Sequence, residues 1–254
     1  MGRSKLRETF FYCLGIILIG CLIQAFGFMK NDRLVFPDVT VILRAFFRLL
    51  GDGKTWLKIL VTLRHLALSL ILSTLIGVAL GLAQGLSDTA RALFRPMMTM
   101  LRALPMIVLT VIVMVLTDYD RVPLAATCLI LVPLISEAAN EGCRRIDREL
   151  IDVYRMNSAL NLSVLRHVYL PMTAGYLKQA FVNAVGMGLK LTVTCEYLVQ
   201  TRDSLGKAVY SSAYFNEYQD IYAYALIMIL LVLFVTALPG IVGRLRRRWP
   251  PEET

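Results

Sequence analysis

Residues 141–171 read EGCRRIDRELIDVYRMNSALNLSVLRHVYLP and separate two apolar segments that are each long enough to cross a bilayer. This polar stretch is rich in arginine, has no glycine after Gly142, carries apolar residues at helical spacing from Ile146 onward and closes on Leu170 and Pro171. A solvated loop that only sets topology has little reason to be this long and this helical. We therefore expect a folded basic element that binds a partner, with the solvated loop as the competing interpretation.

Composition places the chain in a membrane. Of its 254 residues 57% are hydrophobic and 18% charged, and the mean hydropathy is +0.64, too apolar for a soluble domain of this length. The net charge of +9 does not indicate nucleic-acid binding, because the basic residues form short runs beside apolar segments. The five cysteines show no paired spacing, so neither a disulfide framework nor a metal site is predicted.

Six segments are long enough to span the hydrocarbon core, five of them strongly apolar. The predicted spans are residues 10–29, 66–86, 97–117, 122–139, 174–199 and 221–242. The basic clusters before the first span, after the second, after the fourth and after the last then fall on one side of the membrane, which the positive-inside rule makes cytoplasmic. Both termini are predicted to be cytoplasmic, in one multi-pass domain covering residues 1–254.

Several short motifs occur at particular positions relative to the predicted spans. They are Val35-Phe36-Pro37, Thr62-Leu63-Arg64, Gly77 and Gly81, Arg95-Pro96, Leu101-Arg102-Ala103-Leu104-Pro105, Glu196, and Ser204-Leu205-Gly206. Together with the loop, this order resembles the permease subunits of ATP-binding-cassette (ABC) importers, in the branch that takes up nitrate, sulfonates and taurine. The resemblance covers about residues 35–248 and implies an all-α, type I ABC importer permease fold with six transmembrane helices.

The family carries a coupling motif, Glu-Ala-Ala, three residues, then Gly, ahead of an apolar residue and Leu-Pro. The literal string Glu137-Ala138-Ala139 matches its opening letters but falls at the end of the fourth span. Counting back from Leu170-Pro171 instead aligns the motif with a degenerate version in the cytoplasmic loop, residues 143–171. The resemblance assigns ATPase coupling to Asp152, Val153, Tyr154, Arg155, Asn157, Ser158, Ala159, Leu160, Leu170 and Pro171.

The resemblance also implies the partners. One six-span chain supplies half of a pathway, so the chain is expected to form a homodimer with two ATPase subunits inside and a solute-binding protein outside, in a bacterial plasma membrane. The sequence has no phosphate-binding glycine loop, nucleophile elbow or metal-binding histidine pair. It is therefore predicted not to be an enzyme and to need no cofactor, with ATP bound by the partner subunit.

Three ionisable residues within the spans are candidates for the translocation path, because a charge in the membrane needs a partner or water. Lys190, Glu196 and Arg102 are these candidates, and a cation such as Lys190 suits a small anionic solute. Lys190 and Glu196 are six residues apart and do not share a helix face, so they are not expected to pair with each other. For Lys190, a structural pair with another helix is the competing interpretation.

Two other kinds of transporter fit parts of the sequence. An ion-coupled secondary carrier would use Glu196 and Lys190 as a relay, although the inverted repeats and broken helices of such carriers are not evident. The membrane scaffold of an energy-coupling-factor vitamin importer would also bind ATPases, but its short Ala-Arg-Gly motifs are missing from this sequence.

Overall fold

The structure, a computed structural model, describes residues 37–147 and 164–248 together with Gly15 and Val35, and the side chains up to residue 237. Every secondary-structure element in these ranges is helical, as the sequence predicts. The predicted first span, residues 10–29, lies outside the described residues except for Gly15. In chain order the α-helices are α1 (Val39–Gly51), α2 (Gly53–Leu86), α3 (Asp88–Ala103), α4 (Met106–Leu116), α5 (Val122–Arg144), α6 (Leu170–Val199), α7 (Leu205–Tyr214) and α8 (Tyr218–Arg248).

In the described part of the chain, three helices are long and apolar enough to cross a membrane by themselves. They are α2, α5 with the short 3-10 turn before it, and α8 as far as Ala237. The predicted second and fourth spans lie within the first two of these helices, and the predicted sixth span, residues 221–242, lies within the full length of α8. Helix α6 has 30 residues and a length of about 45 Å. It is not among the apolar three because its sequence includes Lys178, Lys190 and Glu196.

The predicted third span, residues 97–117, is not one straight helix. Helices α3 and α4 meet at a bend of 107° and count as a fourth crossing only if the pair is taken together. The break falls at Leu104 and Pro105, where Leu104 has extended backbone angles and Pro105 caps α4. Proline lacks the N–H that would continue the hydrogen-bond ladder of α3 and disfavours the helical conformation of the residue before it.

Glycines on α2 allow α5 to pack against it. A Cβ on Gly81 would lie 2.3 Å from the carbonyl oxygen of Ser136, and one on Gly77 would lie 2.9 Å from the Cβ of Ile135. Gly85, one further turn along, faces Cys143 in the same way. Because the contacts advance in the same direction on both helices, α2 and α5 run parallel, at a separation that only glycine permits.

Helix α6 packs antiparallel to both of these helices and completes the core. Gly142 near the end of α5 faces Thr173 at the start of α6, whereas Thr127 near the beginning of α5 lies 3.3 Å from Thr192 near the end of α6. The bundle therefore has two distinct ends. We call the end where α2 and α5 finish and α6 begins the loop end, and the other the opposite end.

The first and last described helices join at the opposite end. Arg48 of α1 forms an ion pair with Asp220 of α8, and Lys58 of α2 donates a hydrogen bond to the Tyr224 hydroxyl at 3.2 Å. This end therefore gathers the start of α8 beside α1 and α2.

Candidate functional site

A buried carboxylate joins three helices at the opposite end of the bundle. Glu196, near the C-terminus of α6, has 0% of its surface exposed. Its Oε2 accepts a hydrogen bond from the Thr62 hydroxyl at 2.8 Å, and its Oε1 lies 2.8 Å from Nδ1 of His65. Thr62 and His65 are three residues apart on α2 and so share one face. The backbone N–H of Gly206, at the start of α7, donates to Oε2 at 3.3 Å.

The start of α7 is shaped to meet this carboxylate. The Ser204 hydroxyl caps the helix by accepting from the N–H of Lys207 at 3.2 Å, and the N–H of Leu205 donates to the Thr62 hydroxyl at 3.0 Å. A Cβ on Gly206 would lie 2.4 Å from the Cβ of Glu196, so only glycine fits. Motifs far apart in the sequence, at Thr62, Glu196 and Ser204-Leu205-Gly206, thus meet in one cluster.

We call Thr62, His65, Glu196 and Gly206 the Glu196 cluster. Its hydrogen bonds connect α2, α6 and α7. The N-terminus of a helix favours negative charge, and donors from α2 and α7 occupy both carboxylate oxygens. Such a buried group is costly to leave unpaired, so the three helices are held in register. In the described part of the chain Glu196 is fully buried, and its carboxylate contacts groups of α2 and α7.

Lys190 is in a different environment on the same helix. It is exposed, together with Gln179, Asn183 and Thr194. At about 100° per residue these four positions fall within about 60° of arc on α6. We call them the polar stripe. It runs along the middle of a helix that the rest of the bundle buries on its other side.

Arg102 lies beside a basic cavity between α3 and α5. One of its guanidinium nitrogens forms an ion pair with Glu137, and another donates to the carbonyl oxygen of Pro133 at 2.9 Å. The cavity has a volume of about 330 Å³ and extends from the middle of α5 toward the loop end. We call it the basic cavity, and it is lined by Gln84, Arg91, Arg95, Met98, Thr99, Arg102, Pro133, Ser136, Glu137 and Asn140.

The predicted coupling residues divide between two parts of the chain. Asp152, Val153, Tyr154, Arg155, Asn157, Ser158, Ala159 and Leu160 lie outside the described residues. Leu170 and Pro171 begin α6, directly after a π-helical turn at Leu165–Tyr169. Proline is accepted there because the first helical N–H groups have no intrahelical acceptor.

Both edges of the loop are fixed to the bundle. Val168 and Tyr169 are buried against Leu82 and Cys143, so the returning chain is anchored before α6 starts. At the departing edge the Arg145 guanidinium donates to Glu141 at 2.7 Å and lies 5.6 Å from the ring centre of Tyr176. The hydrogen bond that Arg145 donates to Glu141 raises the pKa of Arg145 further above its ordinary value, so this residue stays cationic at any physiological pH.

The literal Glu137-Ala138-Ala139 string lies within α5, as the spacing argument predicts, and not in the loop. Ala139 is fully buried against α2, and Glu137 pairs with Arg102. These three residues are therefore part of the helix bundle.

Sequence reasoning missed two sets of polar residues. His65 was not assigned to Glu196, although a histidine three residues after Thr62 on an apolar helix is a detectable signal. The buried Gln84, which donates to the Ser136 hydroxyl at 2.9 Å, and its neighbour Asn140 gave no spacing signal of their own. No group of His, Cys, Asp or Glu within the described ranges could hold a metal ion.

Comparison with known proteins agrees with this architecture. No curated protein sequence matches the chain. Among solved structures, the MetNI methionine ABC transporter in an inward-facing conformation superposes with a TM-score of 0.61 at 19% identity, over 76% of this chain and 98% of that one. A bacterial ABC transporter involved in the import of the acidic polysaccharide alginate superposes with a TM-score of 0.68 at 13% identity, over 95% of this chain and 97% of that one.

At these identities the superpositions show the fold alone. The family model for the binding-protein-dependent transport system inner membrane component matches residues 73–249, which is more than half of the chain. The chain belongs to the family of binding-protein-dependent transport system inner membrane components.

Proposed function

We propose that this permease forms half of the translocation path for a small anionic solute in an ABC importer. It works as a homodimer, with two ATPase subunits on the cytoplasmic side and a solute-binding protein on the other. It crosses a bacterial inner membrane six times and has both termini in the cytoplasm. The nitrate, sulfonate and taurine branch supplies the first solutes to test, because the sequence motifs resemble that branch.

The observation that carries this proposal is the polar stripe on α6. An exposed lysine near the middle of a membrane-spanning helix costs about 2.5–3.5 kcal/mol if it faces lipid. Gln179, Asn183 and Thr194 lie on the same face. Such a face is stable against water or a second protein subunit, and both are supplied if α6 lines a path between two copies of the chain.

The sign of the charge supports an anion. Lys190 is the cation of the stripe, and no residue in the described ranges forms an ion pair with it. Arg102 extends the cationic lining toward the loop end, although Glu137 pairs with it. Glu196 adds no negative charge to the stripe because it is buried on another face of α6.

Coupling to ATP is tested through the loop. Replacing residues 152–160 by a Gly/Ser-rich segment of equal length should abolish co-purification of the ATPase subunit, because these residues form the predicted coupling element. Glu137→Gln is the matched control and should co-purify with the ATPase subunit at the wild-type level, since Glu137 lies in α5. A loop replacement that retains the ATPase subunit would disprove the assignment of the coupling motif.

Measuring solute uptake tests whether Lys190 lines the translocation path. In proteoliposomes containing the assembled importer, Lys190→Ala should lower ATP-dependent uptake of the anionic solute about tenfold, the loss expected from one charge-assisted contact of about 1.5 kcal/mol. Lys178→Ala is the control, since Lys178 lies on the same helix but outside the stripe. Both variants should keep the ATPase subunit. Unchanged uptake by Lys190→Ala would remove the path-lining role.

Proteoliposomes also distinguish the importer permease from the two other kinds of transporter. An ion-coupled carrier would transport without any ATPase subunit, and its uptake would follow an imposed ion gradient. A vitamin-importer scaffold would need a separate membrane subunit that binds the substrate. The family match and the two ABC transporter folds support the importer permease over both.

A further inference from the structure

The basic cavity holds more positive charge than the described residues balance. Three guanidinium groups line it, those of Arg91, Arg95 and Arg102, against a single carboxylate from Glu137. The pair between Arg102 and Glu137 uses up that carboxylate. In the described part of the chain neither Arg91 nor Arg95 forms an ion pair, so the cavity has two uncompensated cations.

The three arginines of the cavity share one face of α3. Arg91, Arg95 and Arg102 occupy this face at helical spacing and line the cavity, where Arg91 is half-buried and Arg95 and Arg102 are exposed. The other face of α3 exposes apolar side chains, with Leu93 68% and Met100 69% exposed. Helix α3 therefore carries its cationic side chains on the face that lines the cavity and apolar side chains on the opposite face, and the exposed guanidinium groups are accessible to a ligand.

The cavity has the size and donors for a small anion. Its volume of about 330 Å³ lies at the lower end of the range for ligand pockets. Arginine presents a planar fork of N–H donors that matches phosphate-type oxygens, often through two parallel hydrogen bonds. Neutral donors are close by, because Gln84 and Thr99 also line the cavity.

Asn140 adds a polar side chain to the lining of the cavity. Its Oδ1 is buried and has no hydrogen-bond partner among the described residues. Buried polar groups are seldom left unpaired in a folded protein, and an amide oxygen requires a donor, which an ordered water supplies. The two N–H donors of the same amide are the groups that can contact an anion.

We propose that the basic cavity binds a tetrahedral oxyanion of the phosphate or sulfonate type. Arg91 and Arg95 hold the anion, and Arg102 contributes at the end of the cavity nearest the middle of α5. The oxyanion is either free in solution or the headgroup of an anionic phospholipid, and both share the chemistry that the cavity recognises. Arg102 also belongs to the proposed path, but Arg91, Arg95 and the contacts of α3 with α5 carry this site, so it stands whether or not the solute of the importer is an anion.

The binding test measures thermal unfolding of the full-length permease in nanodiscs with two probes. Inorganic sulfate is added to phosphatidylcholine nanodiscs, with potassium chloride at equal ionic strength as the salt control. Phosphatidylglycerol is compared with phosphatidylcholine in the absence of sulfate. A rise in the unfolding temperature with sulfate identifies a site open to free anions, and a rise with phosphatidylglycerol alone identifies a headgroup site. Either result supports the proposal.

Variants locate the site. The Arg91→Gln/Arg95→Gln double variant should bind the active probe at least about tenfold more weakly, because charge-assisted hydrogen bonds are lost. Arg44→Gln, an exposed arginine of α1, removes one positive charge elsewhere and should respond as the wild type does. Glu137→Gln should bind the probe more tightly, since it frees Arg102 and removes the one carboxylate among the described residues that line the cavity.

The Glu137→Gln variant keeps the test decisive if the double variant does not fold. An equal response of the wild type, Glu137→Gln and Arg44→Gln to both probes would overturn the proposal, as would the lack of any response in the wild type. Co-purification of the ATPase subunit is measured on the same samples. Loss of that association refutes the importer function without touching the anion site, so the two failures can be told apart.

Discussion

Glu196 has both of its oxygens occupied by donors from other elements, and this decides what its replacement does. The hydroxyl of Thr62, Nδ1 of His65 and the N–H of Gly206 surround the carboxylate. A glutamine at this position has the same shape, but its NH2 group would face one of these groups in place of an acceptor. The charge that the N-terminus of α7 favours would also be lost.

Glu196→Gln should therefore destabilise the permease by about 1–3 kcal/mol, the cost of leaving a buried hydrogen-bonding group unsatisfied. The measurement is the thermal unfolding midpoint in detergent, followed by size-exclusion chromatography. Glu141→Gln is the matched control, because Glu141 pairs with Arg145 on the surface, where such pairs contribute at most about 1 kcal/mol. Equal midpoints for the two variants would contradict a structural role for the Glu196 cluster.

At the level of residues, the sequence shows which ionisable residues a span contains better than it shows which groups those residues contact. The presence of Glu196 and Lys190 in one span was evident, and so was the fact that they do not share a face. The sequence did not show which of these two residues is buried, because the burial of α6 depends on how α2 and α5 pack against it. That packing is set by contacts across more than a hundred residues, such as the one between Thr62 and Glu196.

Helices α2 and α5 contact each other through glycines of α2, and the space between them is too small for an added methyl group. A Cβ on Gly81 would lie 2.3 Å from the Ser136 carbonyl oxygen and 2.5 Å from the Cβ of Ala139. Both of these atoms belong to rigid parts of α5 and cannot turn aside. The two helices must move apart to accept any side chain at this position.

Gly81→Ala should lower the free energy of unfolding by about 1–3 kcal/mol, as overpacking of a close contact does. Gly175→Ala is the control, since nothing lies within 4 Å of its added Cβ and alanine is the better helix former. Its unfolding midpoint should equal or exceed that of the wild type. The prediction fails if Gly81→Ala is as stable as Gly175→Ala in the same thermal assay.

Element boundaries were predictable where apolar length sets them and less so elsewhere. The predicted fourth span begins at Val122, as α5 does. The predicted second span begins at residue 66, whereas α2 begins at Gly53, because lysine and arginine early in the helix resemble a loop in a hydropathy pattern. The break at Leu104 and Pro105 was visible as a motif, but the 107° bend depends on packing that hydropathy does not report.

For the whole molecule, the parallel course of α2 and α5 brings the C-termini of both helices to the same end of the bundle. Thr89, just after α2, lies at the loop end, and Asp120, just before α5, lies at the other end. The excess of arginine at the loop end predicts that this end is cytoplasmic, by the positive-inside rule. The family match fits a membrane-spanning chain of this kind.

Thiol labelling tests this orientation. In a variant without native cysteines, Asp120→Cys should react with a membrane-impermeant maleimide in intact cells. Thr89→Cys should react only after the membrane is permeabilised. Both positions are exposed, so reactivity reports the side of the membrane and not burial. Labelling of Thr89→Cys in intact cells would reverse the proposed topology.

The all-helical fold of the described residues was predictable from sequence because apolar length, basic flanks and motif order all point to the same architecture. The basic cavity was not, since its arginines occur in motifs that look like topology signals and its carboxylate belongs to a string that resembles the coupling motif. Only the packing of α3 on α5 brings these residues together.

The composition of α6 bears on the order in which the chain is assembled during synthesis. Its three ionisable residues keep it out of the set of helices that are apolar enough to enter a bilayer unaided. Thr62 and His65, the residues of α2 that contact the Glu196 carboxylate, are synthesised well before it, and α5 follows α2. We therefore expect helix α6 to enter the membrane beside a pair that has already assembled, and the N–H of Gly206 to reach the carboxylate last.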